Sequence, residues 1–149
     1  MSLQQWFEFG WLRPHKTSPE EIRNLWLLAD RDLKDAASGG ITHDWRYNIA
    51  YNSALQLCTI LLYAEGYEPA KGQLTHYRIL KTLPFILPNR DNDAEYLDAC
   101  RQIRNKVEYD RAGMASKEDA EELIQFADEL RAAVLVWLKE KHPKLAPAV

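Results

Sequence analysis

The chain has 149 residues, 46% of them hydrophobic, which is enough for one domain with its own core. A formal net charge of −3 shows no global basic character of the kind that advertises nucleic-acid binding, although a local basic patch is compatible with it. No start of the chain has the charged, apolar and small-residue order of a signal peptide. The longest strongly apolar run, residues 54–64, is far too short to span a bilayer, so a cytoplasmic protein with no membrane segment is expected.

Residues 1–17 form an aromatic-rich arm. Trp6, Phe7, Phe9 and Trp11 crowd it, and Gly10 and Pro14 interrupt it. A short helical turn or an extended segment is expected, packed on the domain or on a second subunit. Ser18-Pro19-Glu20-Glu21 starts a helix: serine caps, proline takes the first position and Glu21 completes a capping box. Ile22, Leu25, Trp26, Ala29 and Leu33 follow one face. Asp30, Arg31, Asp32, Lys34 and Asp35 are assigned to solvent.

A second helix is expected from about Thr42 or Asp44 to Glu65, stopped by Gly66. It is apolar over much of its circumference, which makes it the central helix. Asn52 is the polar residue expected to need a partner inside it, a hydrogen bond to a neighbouring helix. After a loop, a shorter helix runs from about Thr75 to Leu87, kinked or shortened by Pro84. Asn92-Asp93-Ala94-Glu95 reads as a capping box that opens a helix to Tyr109 or Asp110. Ser116, with Asp119 reciprocal, opens the last helix, which reaches about Lys141. Residues 143–149, rich in Pro and Ala, are expected to be loose. No alternating strand pattern and no repeat is visible. The expectation is an all-α antiparallel bundle of four long helices and one shorter one, a single domain over residues 18–142.

The common catalytic arrangements are missing. Gly39-Gly40 lacks the lysine and the preceding strand of a phosphate loop, and no GxSxG turn occurs. His15, His43, His76 and His142 are scattered without ligand spacing, so no metal and no cofactor is expected. Cys58 and Cys100 fall on apolar faces without a CxxC, as buried reduced thiols do.

Chemistry concentrates in residues 101–110, RQIRNKVEYD. Cys100, Ile103 and Val107 mark a narrow buried side. Arg101 and Arg104 are neighbours three apart. Arg104 and Glu108 are four apart, as are Asn105 and Tyr109. Asp110 sits at a helix C-terminus, where a negative charge opposes the dipole. Two guanidinium groups beside a phenol suit a phosphate oxyanion. The same spacing also fits an ordinary surface ion pair between Arg104 and Glu108, worth about 0.3–0.5 kcal/mol.

The order of an apolar helix bearing Tyr47, Tyr51 and Asn52, a loop, the segment THYRILKTLP and a helix ending in RNKVEYD resembles the HEPN superfamily. These small helical domains carry R-N-x-x-x-H near the end of a late helix. The resemblance covers residues 42–138. It implies a helical bundle and, in many members, a metal-independent endoribonuclease. Many are toxins paired with a nucleotidyltransferase-type antitoxin, with two protomers sharing one cleft in which arginine binds the scissile phosphate and histidine handles protons. Carried over, Arg104 takes the arginine position and Asn105 the polar position after it. The histidine position is Tyr109 here. A phenol of ordinary pKa near 10 is a poor general base beside an imidazole near 6.5. His76, opening the preceding helix, is the imidazole that would replace it from the preceding segment, although a lone histidine opening a helix is more often a cap or surface residue.

The first expectation is therefore a HEPN-like domain that binds RNA or a nucleotide phosphate through Arg101, Arg104, Asn105, Glu108, Tyr109, Asp110 and His76, with catalysis lost or altered, in a toxin–antitoxin, stress or defence setting. The alternatives are an active ribonuclease toxin using Arg104 with Tyr109, Glu108 or His76, and a protein-interaction module in which the polar cluster holds helices together. A homodimer is expected in each case.

Overall fold

The computed structural model describes residues 1–72, 74–109 and 112–148, without the side chains of Glu108 and Tyr109. The element order is α1 (Leu3–Glu8), β1 (Leu12–Pro14), α2 (Pro19–Ala37), α3 (His43–Ala64), β2 (Tyr67–Pro69), α4 (Thr75–Lys81), α5 (Leu83–Ile86), α6 (Asp91–Tyr109) and α7 (Lys117–Lys141). The fold is an all-α bundle with one small sheet.

Local sequence explains the long helices. The Ser18 hydroxyl accepts from the Glu21 amide, with Pro19 in the first turn. Thr42 caps α3 by accepting from the Trp45 amide. Ser116 and Asp119 form a reciprocal capping box at α7. Each satisfies backbone donors that a helix start otherwise leaves open. Gly66 ends α3 at φ +90°, a left-handed conformation that costs a glycine no side-chain clash.

Helix α3 is the hub. It packs on α2, α4, α5, α6, α7 and β2, while α2 and α7 meet each other sparingly. Residues on every side of it are buried, Tyr47, Ala50, Tyr51, Ala54, Leu57, Cys58, Ile60, Leu61 and Leu62 among them. This is what an unbroken apolar helix requires. The Ser53 hydroxyl donates to the Ala29 carbonyl at 2.8 Å and ties α3 to α2.

Several expectations are corrected. The antiparallel pair β1–β2, in register Leu12↔Pro69, Arg13↔Glu68 and Pro14↔Tyr67, gave no alternating signal because each strand is three residues long and carries a proline. It fastens the N-terminal arm to the far end of α3, so Trp6 and Trp11 pack on the chain's own body. Asp32, assigned to solvent, is buried and bonded to the Arg31 guanidinium. The Glu21 carboxylate does not complete its capping box; it turns to His15 and Thr17. Helix α6 begins at Asp91, so Asn92 lies inside its first turn instead of preceding it. As expected, Pro84 interrupts the shorter helix, which is divided into α4 and α5. Beyond His142, Leu145 and Ala146 pack on the core and Pro147 is buried, in place of a loose tail.

Candidate functional site

Asn48, not Asn52, is the deep asparagine of α3, at 2% exposure. It faces α6, where its Oδ1 accepts from Arg104 Nε at 2.9 Å. Nη1 of Arg104 reaches Asn105 Oδ1 at 3.4 Å, and the guanidinium lies 5.7 Å from the centroid of the Tyr51 ring. Arg104 is therefore joined to α3 by a charge-assisted hydrogen bond and a cation–π contact. Spacing of three or four from Asn48 adds Tyr51, the side chains one turn further along the same helix face. Neither was selected from sequence as a site residue; a polar and a phenolic group four or fewer apart on an otherwise apolar helix was the available signal.

Arg101, one turn earlier on α6, is held differently. Its Nε donates to Asp98 Oδ1 at 2.8 Å, and its guanidinium lies 5.7 Å from the Tyr77 ring. Among the described residues, neither Nη group has a hydrogen-bond partner. From α4, His76 lies near Tyr51, with Nδ1 and the Tyr51 hydroxyl 3.4 Å apart, a long hydrogen bond whose direction follows the imidazole tautomer. Burial drives the Tyr51 phenol well above its usual pKa, against the pull of Arg104 and Arg101, so it stays protonated at neutral pH.

These groups frame a cleft of about 230 Å³ between the start of α4 and the α6 surface, lined by Leu74, Thr75, His76, Tyr77, Arg101 and Asn105. Leu74 stands at its rim with φ +69°, a left-handed backbone that costs a leucine on the order of 1–3 kcal/mol. Arg101, Asn105 and His76 thus share one cleft, and Arg104 lies behind it against α3. The expected roles of Glu108, Tyr109 and Asp110 lie outside the described residues. A larger groove of about 660 Å³ between α2 and α7 contains none of the residues expected from sequence.

Two other features matter. Asp44, in the first turn of α3, accepts from the Gly113 amide at 2.6 Å and the Ala115 amide at 3.0 Å, so it holds the connection that leaves α6. Cys58 and Cys100 are both buried free thiols. Among the described residues no group of three or more His, Cys, Asp or Glu is arranged to hold a metal ion, and no helix is long and apolar enough to cross a membrane. No family model, curated protein or solved structure matches the chain.

Proposed function

We propose that the α4–α6 cleft binds a phosphate group of RNA or of a nucleotide. The observation that carries this reading is the convergence of Arg101, Asn105 and His76 on one cleft, with two guanidinium Nη groups of Arg101 unused among the described residues. Guanidinium offers a phosphate two parallel N–H donors, and the Asn105 amide adds a further polar contact. A volume near 230 Å³ lies below the range of about 300–1,000 Å³ that encloses a whole small molecule, and it suits a phosphodiester with its sugar and base outside. The resemblance to HEPN domains assigns the phosphate to Arg104. The geometry favours Arg101 for contact and Arg104 for positioning, because Arg104 Nε is committed to Asn48.

The test is binding of a labelled single-stranded RNA by anisotropy, in EDTA, for the wild type and for Arg101→Ala. Binding by the wild type and its loss on Arg101→Ala, with an unchanged melting temperature, is the expected result. Equal binding by both proteins removes the cleft from the function.

A second reading is a metal-independent endoribonuclease, favoured by the presence of an imidazole, His76, in the cleft with Arg101. His76 then handles the proton that the HEPN histidine handles, and position 109 need not. Cleavage of RNA in EDTA by the wild type, abolished by His76→Ala, is its signature. Binding without cleavage leaves the first reading in place.

A further inference from the structure

The N-terminal aromatic arm ends against α4, beside the cleft. The Arg78 guanidinium lies 4.2 Å from the centroid of the Trp11 ring and 5.7 Å from that of Trp6. The Phe9 ring lies 4.9 Å from Trp11 on a tilted plane and is 52% exposed. Phe7, also exposed, leans on Tyr67. No carboxylate pairs with Arg78 among the described residues, and none pairs with Lys71. The amide of Ala70 donates to the Trp11 carbonyl, so the chain that carries the exposed Lys71 runs beside the arm. The patch therefore combines exposed rings with two cations that lack counter-charges.

The patch is continuous with the cleft. The Arg78 amide donates to the Leu74 carbonyl at 2.9 Å, so Arg78 lies one helical turn from Leu74, the residue that precedes α4. Leu74 and Thr75 line the cleft; Arg78 lies on Trp11. A chain with a phosphate in the cleft reaches the aromatic arm within one turn of α4.

We propose that Phe9, Trp11 and Arg78 form a base-stacking platform for single-stranded RNA whose phosphate occupies the Arg101 cleft. The proposal rests on the phosphate-binding reading and deepens it. Aromatic faces take any base, and a guanidinium both stacks and neutralises the backbone. A second copy of the chain fits less well. A two-fold contact through this patch sets its unpaired cations against each other.

The test compares binding of a single-stranded RNA and of the same strand with abasic positions, for wild type, Phe9→Ala, Phe9→Tyr, Arg78→Ala and Arg101→Ala, with the mass of each protein from light scattering. Phe9→Ala is expected to weaken binding of the intact strand about tenfold and to leave the abasic strand unchanged, with Phe9→Tyr restoring affinity. Wild type is expected to bind the abasic strand more weakly than the intact one, a comparison that needs no variant to fold. If Arg101→Ala loses binding while Phe9→Ala and Arg78→Ala match the wild type, the platform is wrong and the cleft stands. If the wild type binds neither strand, the platform is wrong and so is RNA as the ligand of the cleft. If Phe9→Ala instead converts a dimer to a monomer, the patch is a subunit interface and the platform is overturned.

Discussion

His15 bridges two carboxylates: Nδ1 meets Glu68 Oε2 at 2.5 Å and Nε2 meets Glu21 Oε1 at 2.7 Å. Burial, the largest single influence, pulls its pKa down, but Glu21 and Glu68 together outweigh it and hold the imidazolium above its ordinary 6.5. Glu68 is held low chiefly by its hydrogen bond from Arg13. Glu21 is held low, against burial, by Thr17 and His15. A raised histidine contributes stability that is complete below its unfolded pKa and disappears as pH rises through the folded one. The lowered carboxylates contribute above their unfolded pKa and lose it as pH falls. The bridge is therefore worth most between about pH 5 and 6.5, and is lost as pH rises through the raised folded pKa of His15. These are one interaction seen from both partners, not two sums. Melting curves at pH 6 and pH 9 should show a larger loss for wild type than for His15→Gln, by about 1.5–3 kcal/mol, the scale of hydrogen bonds to charged groups. Equal losses would remove the bridge as the cause. The thiols make a second prediction. Burial pushes Cys58 up to about 12, and it raises Cys100 too, against the hydrogen bonds of Tyr47 and Tyr96 that favour its thiolate. Since the thiolate is the nucleophile, both should resist a disulfide reagent at pH 8 in the native protein and react within the dead time in denaturant.

Asp44 accepts two amides from the α6–α7 connection and so anchors that connection at the start of α3. Asp44→Ala strips partners from the Gly113 and Ala115 amides. It is expected to lower stability by about 1–3 kcal/mol and to raise amide exchange over residues 112–116 before the rest of the bundle. Exchange that rises uniformly would mean that Asp44 acts on global stability alone. The clasp was not legible in the sequence, since 69 residues separate Asp44 from Gly113 and no local pattern spans that distance. Two caps were legible: Ser18 and Ser116 each accept from the amide three residues on, because the motif and its hydrogen bond are local. Glu21 shows where such a reading fails. Its carboxylate had the capping-box spacing, but a charged imidazole brought in by β1 is a stronger partner than a backbone amide.

At the scale of the molecule, the central helix was legible and its polar contacts were not. An apolar circumference identified α3 as the hub, but circumference gives no facing partner. Asn52 and Asn48 are four apart, and only packing decides which one meets α6. The arginines divide along the same line. Arg104 donates to an asparagine at 2% exposure and belongs to the α3–α6 interface; Arg101 is held by Asp98 on its own helix and faces the cleft. Removing Arg104 takes a charged partner from a buried amide, which costs about 1.5–3 kcal/mol. Arg101→Ala removes a pair within one helix, worth about 0.3–0.5 kcal/mol. Urea midpoints should therefore fall clearly for Arg104→Ala and hardly for Arg101→Ala. RNA binding, measured where both variants are folded, should fall most for Arg101→Ala. Arg104→Lys keeps the charge but has no planar fork to reach Asn48 Oδ1 and the Tyr51 face together, so it should recover little of the lost stability. The opposite pattern, Arg104→Ala stable and unable to bind, would return the phosphate to Arg104 and make Arg101 the structural member of the pair.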